Sequence, residues 1–211
     1  MKHLTIISLA LCLIINNGCA QSNKTKPLIG GACEGCEAIH ESPVPLNSLS
    51  WVDTLPDYHE PGPKIKLEGI IYKSDGKTPA KDVVLYIYHT DQQGKYSLKG
   101  NESGWGVRHG YIRGWIKTNE KGEYRFYTLR PASYPNDNAP QHIHATILEP
   151  GMNEYWIDEF VFDDDPNLTK TERMNQRQRA GSGIVKLQMR DGIMEGRRNI
   201  VLGLNVPDYP K

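Results

Sequence analysis

The sequence predicts an all-β protein, a sandwich or barrel with long irregular loops and an N-terminal arm. Three observations carry this. Runs of about 6–8 residues rich in β-branched and aromatic side chains are separated by turn signals roughly every 10–12 residues. The 20 Gly, 14 Pro and 11 Tyr of the 211 residues suit turns and strand faces better than helix surfaces. No stretch sustains the 3.6-residue apolar period of a long helix.

Residues 65–72 (IKLEGIIY) alternate well enough for a strand, and 74–79 (SDGKTP) turn the chain. Residues 82–89 (DVVLYIYH) form a second strand, followed by a turn over 91–94 before Lys95 and Tyr96. Residues 97–110 are Gly-rich and read as a loop. Strands follow over 111–117 and 123–129, joined by a hairpin turn at 118–122. Residues 130–141 are a second loop, and strands resume over 142–148 and 154–162. The polar segment 163–179 has room for a short helix after Pro166. Residues 184–189, the Asp191-Gly192 turn and residues 199–206 make a closing hairpin.

Ahead of this domain, assigned to residues 64–211, the chain divides in two. Residues 1–19 read as an export signal: Lys2 and His3 precede an apolar run over 4–15, too short for a comfortable membrane span. Cys19 directly follows that run and fits a lipoprotein processing site, which would make it the lipidated mature N-terminus. Cleavage after Ala20 is the alternative, and Asn16 is unusual for the lipoprotein type. The expected location is the cell envelope, periplasm or exterior, with the membrane reached only through the lipid. Residues 20–63 form a polar tether and then an arm rich in Pro, Gly and acids. Trp51 and Leu55 suggest that the arm lies over the domain, since a free linker is poorer in such residues. Cys33 and Cys36 fall in this arm, and in an exported protein such a pair is expected to form a disulfide. The 25 basic residues balance 25 acidic ones, so no electrostatic case exists for nucleic acid.

The informative stretch is 134–144 (YPNDNAPQHIH). His142 and His144 open a strand two residues apart, so both imidazoles project from one face. Two imidazoles on a rigid strand begin a transition-metal site. From the pair alone, two solvent-facing histidines remain an equal reading. Tyr134 precedes a proline and a polar loop that can fold its phenol back toward the same point.

Four segments, in order and covering about residues 65–166, resemble the intradiol ring-cleavage dioxygenases. They are 85–96 (LYIYHTDQQGKY), 114–135 (GWIKTNEKGEYRFYTLRPASYP), 140–144 (PQHIH) and 158–166 (DEFVFDDDP). The resemblance implies a Greek-key β-sandwich of the transthyretin (prealbumin-like) type. It also implies a non-haem ferric ion, Fe(3+), held by Tyr96, Tyr134, His142 and His144. Phenolate is a hard anionic donor that favours ferric iron, and a phenol with a pKa near 10 ionises at neutral pH only beside a strong Lewis acid. The implied substrates are O2 and a catechol, cleaved between its hydroxylated carbons to a muconate-type diacid, with Tyr134 able to act as a base.

Two departures stand out. Family members usually carry an arginine where this chain has Ala139, and that arginine is thought to stabilise negative charge on the substrate ring. Arg113 is taken as the substitute, with Arg108 and Arg130 as further candidates. Tyr88 replaces a tryptophan usual in the first segment. The opening strands, 67–71 and 79–84, also look like those of transthyretin-like and carboxypeptidase-regulatory sandwiches. A non-catalytic binding module, or a degenerate homologue that binds iron without turnover, are therefore the competing readings. Pocket-lining residues are expected in 51–60, 97–111 and 130–141. Relatives associate in various ways, so homo-oligomerisation stays open.

Overall fold

The computed structural model describes residues 28–210. The export signal and Cys19 lie outside the described residues, and among these no helix is long and apolar enough to cross a membrane. The chain forms a β-sandwich. One sheet has the order β1 (Val52–Thr54), β5 (Glu123–Leu129), β2 (Lys64–Tyr72), β10 (Ile193–Arg197) and β9 (Leu187–Arg190), with β11 (Ile200–Val201) also paired to β2. The other runs β4 (Arg113–Lys117), β3 (Val84–Tyr88), β6 (His142–Leu148), β7 (Tyr155–Phe162) and β8 (Ile184–Val185). The links β2–β3, β4–β5 and β5–β6 each cross between sheets, as the Greek-key expectation requires.

Strand alternation builds the core. Ile65, Leu67 and Ile71 of β2 and Tyr124 and Phe126 of β5 face inward and meet Leu85, Ile87, Ile143, Ile147 and Phe160 of the opposite sheet. Phe126 and Phe160 meet edge to face, with ring centroids 5.6 Å apart. The same alternation sends Tyr86, Tyr88, His142, His144 and Thr146 to the outer face of the second sheet. On that face Tyr86 lies opposite Thr146, and Tyr88 opposite His144.

The arm covers part of this outer face. A 3₁₀ helix, Cys36–Glu41, packs Ala38 and Ile39 against Val84, Tyr86 and Trp115. Trp115 Nε1 donates to Ile39 O at 3.0 Å. Cys33 and Cys36 are joined as a disulfide, as expected. The arm also adds β1 as a strand parallel to β5, closer integration than a covering arm implies.

Two sequence expectations need correction. The closing hairpin is β9–β10 around Asp191-Gly192, not 184–189 with 199–206. Residues 200–201 instead run parallel to β2. In addition, the loop at 97–110 contains a short helix, α1 (Gly106–His109). The expected helix after Pro166 is α2 (Lys170–Asn175), capped by Thr169 Oγ1 accepting from Glu172 N at 3.2 Å.

A buried polar chain ties the arm to the sandwich. Thr128 Oγ1 lies 2.8 Å from Asp57 Oδ1 and 2.7 Å from His89 Nε2. His89 Nδ1 donates to Thr90 O at 2.8 Å, since that carbonyl can only accept. Its Nε2 therefore takes the Thr128 proton, and Asp57 completes the chain when protonated. Burial pushes Asp57 up to about 6 and His89 down to about 4, which fits this neutral arrangement. Asp57, raised from an ordinary 3.8, contributes stability at low pH that is lost as pH rises through about 6. His89, lowered from 6.5, contributes stability above that value that is lost as pH falls through about 4. The two slopes oppose, so stability is nearly level between them. Asp57→Asn keeps the hydrogen bond and removes one slope. Denaturant titrations should then show its stability rising by about 2 kcal/mol from pH 4 to 6.5 relative to the parent.

Candidate metal centre

Two loops and one strand bring the four expected ligands together. Tyr96 follows a turn organised by Asp91, whose Oδ1 accepts from Gln93 N (2.8 Å) and Lys95 N (3.0 Å) and whose Oδ2 accepts from Ser97 Oγ. Tyr134 lies on the 130–141 loop. The two loops are zipped to each other: Thr90 Oγ1 donates to Ala132 O at 2.6 Å, and Gln92 Nε2 to Arg130 O at 2.7 Å. Gly94 sits between them at φ +72°, and a Cβ there would lie 2.1 Å from Ser133 O. Only glycine allows this approach.

The four polar tips converge. Tyr96 Oη is 2.7 Å from Tyr134 Oη and 2.7 Å from His144 Nε2, and Tyr134 Oη is 3.1 Å from His142 Nε2. The other ring nitrogens point outward. His142 Nδ1 donates to Pro140 O at 2.7 Å, and His144 Nδ1 donates to Glu159 Oε1 at 2.8 Å. Both Nε2 atoms therefore present bare lone pairs to the centre. Three close contacts among four groups then share only two hydroxyl protons. One contact has no hydrogen, and a cation at the centre removes that conflict.

Burial raises the pKa of both phenols, in Tyr96 with further contributions from the neighbouring Tyr134. Without a cation these phenols stay neutral; beside one they ionise. Burial lowers the pKa of His142, keeping its imidazole neutral and able to ligate.

Glu159 is the residue that sequence reasoning missed. His142, His144 and Glu159 present ligand atoms within 4.8 Å of one another. The carboxylate, however, is engaged at His144 Nδ1, on the side away from the phenols. Burial opposes its ionisation, but the hydrogen bond it accepts from His144 Nδ1 outweighs this and holds it low, at about 2. A bulge places it there: β6–β7 pairing shifts register between Ile143 and Ala145, leaving an extra β7 residue across from His144. Glu159→Ala should weaken metal binding about 10–100-fold in a chelator competition, with Glu159→Gln recovering part of the loss.

An aromatic stack lies beside the four ligands. Tyr88 stacks on His144 (centroids 4.4 Å) and on His109 of α1 (3.8 Å), and His109 stacks on Trp105 (5.5 Å). Tyr88, in the place of the usual tryptophan, thus forms a wall of the site. Arg113 reaches Glu41 of the arm at 2.8 Å and lies over Trp115. It does not line the cavities around the four ligands, whereas Arg108 does. Arg130 is held by Asp164 and Gln141. Of the expected pocket segments, 97–111 and 130–141 line these cavities. Segment 51–60 does not; Glu34 of the arm does.

Residues 47–199 match the family model described as Dioxygenase. The chain belongs to the intradiol ring-cleavage dioxygenase family. It is 25% identical over 113 residues to the protocatechuate 3,4-dioxygenase beta chain of Burkholderia cepacia, covering 51% of this chain and 48% of that protein. It is 28% identical over 156 residues to catechol 1,2-dioxygenase of Candida albicans, covering 66% and 48%. The chain thus spans about half the length of these curated relatives. In fold it is similar to the dioxygenase domain of a dioxygenase carbohydrate-binding protein fusion from Streptomyces sp. SirexAA-E. That match has a TM-score of 0.57 and 21% identity, over 71% of this chain and 85% of that one. Catechol 1,2-dioxygenase from Acinetobacter sp. ADP1 gives a TM-score of 0.53 and 20% identity, over 72% and 57%.

Proposed function

We propose that the protein is a non-haem Fe(III) intradiol dioxygenase that cleaves a catechol between its two hydroxylated carbons. The convergence of two phenol oxygens and two bare imidazole nitrogens, with one proton too few for their contacts, carries this reading. Tyr96, Tyr134, His142 and His144 would hold the ion. Two phenolates offset most of its charge, which lowers the cost of burying it. The chemistry such an ion supplies when bound is withdrawal of electron density from a catecholate, which makes a ring carbon reactive toward O2.

The chain's own residues do the rest. Pro140 O and Glu159 fix the tautomer and direction of the two imidazoles. Tyr96 is held between Tyr134 and His144. Tyr134 lines both cavities that open on the centre, so its Oη is placed to take a proton from an incoming catechol hydroxyl. The carbon–carbon bond between the hydroxylated carbons breaks, and both atoms of O2 enter the diacid.

Ala139 favours a second reading, an iron-binding homologue without turnover. It lines the cavity beside His142 where relatives usually carry arginine, and Arg113 and Arg130 are engaged elsewhere. Oxygen uptake with catechol under ¹⁸O2 separates the two. The enzyme reading expects a muconate-type diacid with both labelled atoms; an iron-loaded protein that leaves catechol intact supports the second. Export with lipidation at Cys19 is part of the proposal and is checked by membrane fractionation of the parent and Cys19→Ala.

A further inference from the structure

Residues 33–41 of the arm lie ahead of the segment 47–199 that matches the family model, yet they hold α1 and its approach at three points. Glu34 pairs with Arg108. Gly35, at φ +85°, lies against the His109 ring: a Cβ there would stand 2.7 Å from His109 Nε2 and 3.0 Å from Cε1. Glu41 Oε1 accepts from Trp105 N at 2.8 Å, while its Oε2 accepts from Arg113 Nη1 at 2.8 Å. The tip is itself fixed. The Cys33–Cys36 disulfide closes it, and Ala38 and Ile39 anchor the 3₁₀ helix that follows against Tyr86 and Trp115. Covering the outer sheet face requires only Ala38 and Ile39; the other contacts act on α1.

From α1 the contacts continue to a ligand. His109 is buried, with Nδ1 2.8 Å from Tyr86 Oη and its ring stacked on Trp105 and Tyr88. The Tyr88 ring lies within 5° of parallel to His109 at a centroid distance of 3.8 Å, and stacks on His144 at 4.4 Å and 20°. The hydrogen bond from His144 Nδ1 to Glu159 fixes where that nitrogen points, but leaves the ring able to turn about the bond. Such a turn swings Nε2 away from the centre. Contact on the ring face opposes it, because stacked aromatic rings favour one offset and spacing. The tilt of His144 is therefore set by Tyr88, and the place of Tyr88 by His109.

We infer that the disulfide-closed tip of the arm is a positioning element of the metal centre: through His109 and Tyr88 it sets the tilt of the His144 ring. Gly35 and His109 are positioning residues that act through Tyr88. That His144 holds a ferric ion rests on the proposed function; the contacts running from the arm to its ring do not.

Gly35→Ala and His109→Ala test this in the purified protein with and without iron. The His109 ring, pinned at Nδ1 and stacked on two neighbours, has little room to yield to a methyl group at Gly35. Gly31→Ala is the control: at φ +71° with no atom within 4 Å, it bears a similar backbone cost in the same arm without the clash. In the iron-free protein, the His144 ring-proton resonances, shielded by the face of Tyr88, should move in Gly35→Ala and His109→Ala and keep the parent's positions in Gly31→Ala. In the iron-loaded protein, chelator competition should show the metal held about tenfold more weakly in the first two variants, with the tyrosinate-to-iron absorption band displaced. Parent-like His144 resonances, or parent-like iron affinity and band, in either Gly35→Ala or His109→Ala overturn the inference, as does a Gly31→Ala protein that shifts them equally. Moved resonances in a protein that takes up no iron support the positioning and overturn the ferric reading alone.

Discussion

His142→Ala removes iron and catechol cleavage together while the sandwich still folds. The imidazole is one of the four groups converging on the centre, and its Nδ1 is anchored only to a carbonyl of its own loop. It lies on the outer face of β6, whereas the core there is made by Ile143, Ala145 and Ile147. Its loss therefore leaves the sheet packing intact. The expected outcome is a fall in kcat/KM of about a thousandfold or more, equivalent to about 4 kcal/mol of transition-state stabilisation. Far-ultraviolet circular dichroism should match the parent, and the melting temperature should move by only a few degrees. The same assay on Tyr134→Phe should give a comparable loss, since the phenolate oxygen is the part that ligates and accepts the proton.

The second large effect comes from a residue with no polar side chain at all. Gly94→Ala places a methyl group 2.1 Å from Ser133 O, at a backbone φ of +72° that L-residues rarely adopt. The turn carrying Tyr96 must then move away from the loop carrying Tyr134. A displacement of about 1 Å at a reacting centre costs about a hundredfold in rate. We expect that loss in kcat/KM, weaker iron binding and a destabilisation of about 2–4 kcal/mol. Gly76→Ala is the control. It has a similar φ of +67° but no atom within 4 Å, so it bears the conformational cost without the clash and leaves iron binding unchanged.

The strands were readable because one face of each is buried, and burial writes a period of two into the sequence. Residues 123–129 and 142–148 match their strands end to end for this reason. The pattern failed at the sheet margin. In β10, Ile193, Met194 and Glu195 are all only half-buried, so no alternation marks the strand, while the apolar 199–206 segment looked like a better partner. Parallel pairing of β1 and β11 over two or three residues leaves no local signal either. Half of the metal centre was legible in the same way: two histidines two apart share a strand face. The loop after Tyr134 suggested its return toward the histidines, but Tyr96, and the ligand role of both, came through resemblance, because their approach depends on loop-to-loop hydrogen bonds and on Gly94. Glu159 could not be found by alternation, since the bulge opposite His144 shifts the register that alternation assumes.

The central claim is that Tyr96, Tyr134, His142 and His144 hold one ferric ion. Visible absorption and metal analysis on the purified protein and on Tyr96→Phe test it most directly. The account predicts one iron per chain and a tyrosinate-to-iron charge-transfer band that weakens or shifts in Tyr96→Phe. A protein supplied with iron that neither retains it nor shows that band, or a band indifferent to Tyr96→Phe and Tyr134→Phe alike, would contradict it.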